Sequence, residues 1–329
     1  MLIPMDKIKK PLLAIVLAAS LVLVGVGCEF LPPPPFFTDP TINTEIPQNM
    51  IPAAEKVLPS VVVVDTRYAT GTGWIYQSDG IIVTNYHVIQ GAGSVMVTLH
   101  DGQRFTVESA ATDPVSDLAI LRIAATDLPA VDIGKAADLS VGDPVVAIGN
   151  SFGEGISVKS GRVTRLNVTV GIEHSNYYGL IEDNAPIQEG DSGGPLVNQA
   201  GQVVGISNAK VIGIEDIAYA INIDSALPTI QQLVAQGSIV TAYLGIRGRD
   251  NPYGAGAEIV EIVPGGPADQ AGLKPDDIIV SVDGESMQGI SDLQHTIRSK
   301  EIGQTISITY QRDGTTYQTQ ATLIKSPGI

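Results

Sequence analysis

A hydroxyl, a carboxylate and an imidazole stand in this chain in settings that suit acyl transfer. The hydroxyl is Ser192, inside Gln188-Glu189-Gly190-Asp191-Ser192-Gly193-Gly194-Pro195-Leu196, a glycine-rich turn that runs into an apolar strand-like segment. A nucleophilic hydroxyl must stand clear of neighbouring side chains. The carbonyl it attacks becomes an oxyanion, which needs backbone N–H donors aimed at it. Gly190 can take backbone angles closed to other residues, so its N–H can point inward beside that of Ser192. Gly193 and Gly194 leave room for a peptide to lie close. Alone, Gly-Asp-Ser-Gly is equally good turn chemistry, so the stretch gains meaning only from partners elsewhere.

Two upstream stretches supply those partners. His87 lies in Thr84-Asn85-Tyr86-His87-Val88-Ile89, directly after the β-rich run Gly80-Ile81-Ile82-Val83. Its imidazole, with a reference pKa of about 6.5, is the natural base for a serine hydroxyl at neutral pH. Asp117 opens the apolar run Leu118-Ala119-Ile120-Leu121 and would hold the imidazole tautomer. Asp113 is its rival, but it precedes Pro114 and so favours a turn. The other histidines, His100, His174 and His295, have no comparable surroundings. The order His87, Asp117, Ser192 is that of chymotrypsin-type triads, and it differs from the subtilisin and α/β-hydrolase orders.

On these motifs the chain resembles the trypsin-like serine proteases of the HtrA/Deg family, with one C-terminal PDZ domain. The resemblance implies a mainly β fold, a chymotrypsin-like double antiparallel β-barrel followed by a small α+β PDZ domain. It implies an oxyanion hole built from the amides of Gly190 and Ser192. Gly149-Asn150-Ser151-Phe152-Gly153, followed by Ser160-Gly161-Arg162-Val163, looks like the family's regulatory loop and the strand after it. Gly205 to Ala209 and Ile217 to Asn222 resemble the strands flanking the substrate cleft, with the backbone of Ile206 and Ser207 expected to pair with bound peptide. Pro186 matches a position lining the primary specificity pocket. No acid stands there, so a small or medium apolar side chain is expected in place of Lys or Arg. Asp191 departs from the family, which usually has asparagine there. Digestive trypsins have aspartate, which can pair with a freed N-terminus. No mature N-terminus fits that role here, and the residue reads as a local variation. Leu244, Gly245 and Ile246 resemble the carboxylate-binding loop of a PDZ domain, where a bound peptide adds a strand to the sheet edge; a PDZ that only packs against the protease is the alternative. Family members commonly trimerise, so a homotrimer or larger assembly is expected.

The elements that must position these residues follow from composition and punctuation. The chain has 329 residues, of which 44% are hydrophobic, with 35 glycines and 21 prolines. That length suits about two domains, and the turn-rich composition suits β architecture. β-branched runs recur from Val61 to Ile148 between Gly, Asp and Pro. A helix is expected over 224–236, capped by Asp224 and stopped by Gly237. From 238 onwards the pattern changes: a short helix at 267–271, a second at 291–300 with Leu293 and Ile297 on one face, and closing strands at 305–310 and 317–323. Residues 51–237 therefore read as the protease domain and 238–329 as the PDZ domain.

The N-terminus reads differently. Lys7, Lys9 and Lys10 precede an uncharged apolar run from Pro11 to Gly27, so residues 1–27 are a signal peptide or membrane anchor. Cys28 follows a small residue, as a lipidation site requires, although Gly25 departs from the usual pattern. A lipoprotein is the first expectation; a retained transmembrane anchor and plain secretion are the alternatives. Residues 28–50, with Pro32 to Pro35, read as a stiff tether. The net charge of −16 argues against nucleic acid, which needs Lys and Arg. With a single cysteine no intramolecular disulfide forms. The histidines and the cysteine do not cluster, so no metal or other cofactor is expected. The function expected is an ATP-independent serine endopeptidase of the cell envelope for misfolded or signalling proteins. A peptide-sensing or chaperone-like binding protein with latent activity is the alternative.

Overall fold

The computed structural model describes residues 46–172, 175–208 and 217–326. Cys28, the apolar leader and the Pro32–Pro35 run lie outside the described residues. Among the described residues no helix is long and apolar enough to cross a membrane.

β-branched runs set between turn residues form strands, and those strands build two sheets around a shared core. After α1 (Ile51–Val57) come β1 (Val61–Thr66), β2 (Thr70–Gln77), β3 (Ile81–Asn85), the short helix α2 (Tyr86–Ile89), β4 (Val95–Thr98), β5 (Arg104–Thr106), β6 (Ser109–Asp113) and β7 (Leu118–Arg122). They lie in the order β5-β4-β1-β2-β3-β7-β6. The two edge strands, β5 and β6, are consecutive in the chain. The residues joining them, Val107 and Glu108, donate their N–H groups back to Val95 and Arg122. This sheet is therefore rolled by its connection and not by a ladder between its edges.

The second set is β8 (Pro144–Gly149), β9 (Ser157–Ile172), β10 (Ser175–Asp183), β11 (Pro195–Val197), β12 (Val203–Ser207) and β13 (Ala218–Asn222). These close into a barrel in the order β10-β13-β12-β11-β8-β9. The two sets make the double β-barrel expected from the sequence: hydrogen bonds close this one, and the first is rolled through its β5–β6 connection. Trp74, Val83, Leu118 and Ile120 from the first sheet pack with Leu180, Leu196, Val204 and Ile206 from the second, so one apolar core spans both.

α3 (Ile223–Gln236) closes this part of the chain. Its cap is Asn222, whose Oδ1 accepts the N–H of Asp224 at 2.8 Å. The expected cap, Asp224, instead accepts the N–H of Ala137 at 2.7 Å. Gly237 ends the helix, with its N–H on the Leu233 carbonyl.

The C-terminal part begins with β14 (Ala242–Tyr243), β15 (Ile246–Asp250) and β16 (Ala257–Ile262). α4 (Pro267–Gln270), β17 (Ile278–Val282), β18 (Glu285–Ser286), α5 (Ile290–Arg298), β19 (Thr305–Arg312), β20 (Thr315–Thr322) and β21 (Ile324–Lys325) follow. The main sheet runs β15-β16-β17-β19-β20, with β15 at its edge. Leu293 and Ile297 of α5 sit in its core with Leu244, Ile259, Leu273 and Ile308. Ile290 packs close over Gly248, so α5 borders the open edge of β15.

Candidate active site

The two sheets meet where the chemistry-bearing residues stand. The first supplies His87, just past the end of β3, and Asp117, just before β7. The second supplies Ser192, just before β11.

Asp117 is gripped on every side. Its backbone is left-handed, with φ 55°. Its carbonyl accepts the N–H of Tyr86 and the Nδ2–H of Asn85, both at 3.0 Å. Its carboxylate accepts the backbone N–H of His87 on Oδ1 at 2.9 Å, and meets His87 Nδ1 on Oδ2 at 2.7 Å. The Nδ2–H of Asn208 donates to the same Oδ2 at 3.0 Å. A carboxylate at Nδ1 places the ring proton there, which leaves Nε2 as the basic nitrogen. Sequence reasoning misses the role of Asn208. The residue stands in the quoted Gly205–Ala209 stretch, but nothing local marks it as a donor to a residue so far upstream.

The rival Asp113 has a different partner. Arg298 of α5 donates from both terminal nitrogens to its carboxylate, at 2.8 and 2.7 Å. Burial works to raise the Asp113 pKa, but the hydrogen bonds and charge of Arg298 outweigh it and hold the carboxyl below its ordinary value. His295, one helical turn earlier, stacks on Tyr178 of β10 at 4.0 Å. Burial lowers its pKa. Tyr178 also bonds to Asp292 through its hydroxyl. A cleft of about 620 Å³ runs along this seam, away from Ser192, between Tyr177, Ile221, Thr229 and His295.

The turn around Ser192 is held by the first sheet and by the loop after β8. Thr72 donates its N–H to the Ser192 carbonyl at 2.9 Å and its hydroxyl to the Gly190 carbonyl at 2.7 Å. The Glu189 carbonyl accepts the N–H of Phe152 at 2.7 Å. In a trans peptide N–H and C=O point opposite ways. Anchoring that carbonyl on the 150–155 loop therefore turns the Gly190 N–H away from the loop. Gly190 has φ 97°, and a Cβ there would come within 2.2 Å of the Asn150 carbonyl, so only glycine fits. Asp191, 1% exposed, points back under the turn.

Pro186 is exposed on the segment between β10 and Ser192. The pairing expected of Ile206 and Ser207 with a bound peptide is not available in this structure. The Ser207 N–H donates to Gly194 O at 2.8 Å, and its carbonyl accepts the Gly193 N–H at 2.9 Å. Ile206 lies inside the ladder, opposite Pro195 on one side and Ile221 on the other. Both residues sit one step too deep in the barrel. The chain leaves the ladder only beyond them, and 209–216 lie outside the described residues. In the C-terminal part, the carbonyls of Leu244 and Gly245 accept N–H groups from Ala268 and Val263, both at 2.9 Å, which fixes the loop ahead of edge strand β15. Among the described residues no group of His, Cys, Asp and Glu is placed to hold a metal ion.

Comparison with known proteins defines the class. A trypsin-like peptidase domain matches residues 71–206, and a PDZ domain matches 242–323. Two curated relatives are each described as a probable periplasmic serine endoprotease DegP-like. The one from Chlamydia trachomatis serovar D is 34% identical over 78% of this chain and 54% of its own length. The one from Hahella chejuensis is 37% identical over 75% of this chain and 55% of its own. The solved structure of the HtrA-type protease AlgW with a decapeptide superposes with a TM-score of 0.64 at 27% identity, covering 84% of this chain and 98% of that one. The chain belongs to the HtrA/Deg family, as a trypsin-like peptidase domain followed by a single PDZ domain. It spans about half the length of the curated relatives it matches.

Proposed function

We propose that the protein is a serine endopeptidase that cleaves misfolded or signalling polypeptides outside the cytoplasm. The observation that carries this reading is the grip of Asp117 on His87, by backbone and ring together, which leaves Nε2 to act as a base. In the proposed cycle Ser192 Oγ attacks the scissile carbonyl carbon while its proton passes to His87 Nε2. The new oxyanion rests on the N–H groups of Gly190 and Ser192. The C–N bond breaks as the proton passes from His87 to the leaving amine. Water then repeats the attack on the acyl-enzyme, and Ser192 regains its proton.

The PDZ domain is proposed to take peptide C-termini. The carboxylate would lie at the loop of Leu244, Gly245 and Ile246, with the peptide pairing along the edge of β15. The decapeptide carried by the AlgW structure supports peptide recognition by a protein of this fold. The periplasmic relatives support a place outside the cytoplasm. Anchoring through the leader or a lipid on Cys28, assembly as a homotrimer, and a primary pocket at Pro186 for apolar side chains complete the reading.

The test is labelling of the purified protein by a fluorophosphonate probe, with and without an apolar C-terminal peptide, and mapping of the modified residue. Label on Ser192 is the expected result, with Ser192→Ala losing both label and proteolysis while remaining folded. A folded protein that takes no label in either condition would move the reading to a peptide-binding or chaperone-like role.

A further inference from the structure

Asp191 separates the two N–H groups proposed to hold the oxyanion, and its side chain is 2% exposed. A carboxylate buried to that degree without a partner is disfavoured strongly enough to be driven out to water. Turning Asp191 outward would rotate the backbone on both sides of it and carry the Gly190 and Ser192 amides with it.

The structure provides what keeps it in place. The Nζ of Lys159, on β9, meets Asp191 Oδ2 and also Ser151 Oγ. The Lys159 side chain is only 14% exposed. Ser151 donates its hydroxyl to Oδ1 at 2.9 Å, and the Gln188 N–H donates to Oδ2 at 2.7 Å. The Asp191 N–H answers on the Gln188 carbonyl at 3.1 Å, so the turn is clamped in both directions. Gly149 leaves the space: a Cβ there would lie 2.4 Å from Asp191 Oδ1. Lys159 is itself fixed by the barrel, opposite Ala147 of β8.

We infer that Lys159 is a positioning residue for the oxyanion hole. Its internal ammonium neutralises Asp191 and holds the Gly190–Ser192 turn in the geometry that accepts an oxyanion. The inference rests on the peptidase reading above and adds a regulatory consequence: the cation comes from within the folded barrel, so the turn needs no chain cleavage to obtain one. It also makes Lys159 and Asp191 a matched pair, because an uncharged side chain at 191 would need no cation.

The full chain tests this with Lys159→Met and the double variant Lys159→Met/Asp191→Asn. The readouts are kcat and KM on a peptide substrate, fluorophosphonate labelling rate, and folding by circular dichroism. Lys159→Met is expected to lower kcat and labelling about 100-fold or more, the scale of a lost oxyanion donor, with KM moving less than about threefold. The double variant, which buries no unpaired charge, is expected to recover to within about tenfold of the parent. A folded Lys159→Met with kcat within about threefold of the parent overturns the inference. So does a folded double variant no better than the single one. If Lys159→Met fails to fold, the double variant decides alone: folded and active supports the pairing, folded and inactive overturns it. A parent protein that neither cleaves nor takes label ends the peptidase reading and this inference with it, whereas an active parent with an indifferent Lys159→Met ends the inference alone.

Discussion

The stretch from the end of β6 to β7 and the stretch from the end of β10 to β11 each bury two aspartates. In the first, Asp117 takes three donors at its carboxylate and Asp113 takes a two-pronged arginine from the PDZ domain. In the second, Asp191 meets Lys159, but among the described residues Asp183 accepts only the N–H of Ala185, at 2.8 Å. Burial pushes the Asp183 carboxyl up to about 7, and the charge of neighbouring Glu182 adds to the rise. Equal burial thus produces two outcomes. Asp113, met by an arginine, is held below its ordinary carboxyl value, and an acid with a cation or a full set of donors fixes the elements it joins. Asp183, which meets a single amide, is pushed the other way. The three well-partnered acids tie distant parts of the chain together, while Asp183 ties only its own loop.

The sharpest way to break the comparison is to remove one charge from each acid of the first stretch. Asp117→Asn turns an amide N–H toward His87 Nδ1 and forces the ring proton onto Nε2, where it cannot accept from Ser192. A loss in kcat of about 10³–10⁴ is expected. Asp113→Asn keeps an oxygen for Arg298 and lies off the reaction path, so its kcat should stay within about tenfold of the parent. Steady-state kinetics on a short peptide checks both. Equal losses would mean that the two acids do not divide their duties between ring and domain seam.

Removing the cation from the seam should have a smaller effect, and on stability more than on chemistry. Arg298→Ala leaves Asp113 buried without its partner. Breaking fully buried pairs costs about 3–5 kcal/mol. With a fifth of the Arg298 side chain in water, a cost of about 2 kcal/mol is expected. The Asp113 pKa is held low in the folded protein, so this contribution is present above its unfolded value and fades as pH falls through the folded one. Unfolding in denaturant at pH 7 and pH 3 measures the difference, and faster hydrogen exchange over 291–299 would place it at α5. Unchanged exchange there would separate Asp113 from the seam.

The contrast also marks what the sequence can carry. His87, Asp117 and Ser192 are legible because each sits in a local setting tied to its chemistry and their order is informative. β1 to β4, β7 and β8 are legible from β-branched runs, α3 from its Gly237 stop and α5 from the spacing of Leu293 and Ile297. The ties between elements are not. Lys159 lies on β9, 32 residues before Asp191 in its turn, and no motif surrounds it, so in sequence Asp191 reads as a local variation. Arg298 and Asp113 stand 185 residues apart, in different domains. Asn208 stands just past the end of β12, in a stretch whose backbone is expected to face the substrate, a reading that Ile206 and Ser207 fail because the barrel uses their amides first. Even the α3 cap goes to Asn222, because Asp224 finds a donor at Ala137, across the fold. Sequence marks a residue's local duty, whereas its distant partner is set by how the sheets close.

Asp183 offers the finest test of the comparison, because its contribution runs opposite in sign to that of Asp113. In the unfolded chain its carboxyl titrates at the ordinary 3.8, and in the folded protein at about 7. Between those values the unfolded state gives up a proton that the folded state keeps. Stability is therefore lost as pH rises from about 4 to about 7 and is level beyond, falling by about 1.4 kcal/mol for each pH unit crossed. Asp183→Asn removes this dependence while keeping an oxygen for the Ala185 N–H. The variant should be more stable than the parent by a few kcal/mol at pH 8 and by about 1–2 kcal/mol at pH 5, with the gap closing toward pH 4. Denaturant unfolding of both proteins across that range would read it directly. A margin that does not change with pH would mean that Asp183 ionises like an exposed acid, and the two loops would then differ in their partners but not in how they hold charge.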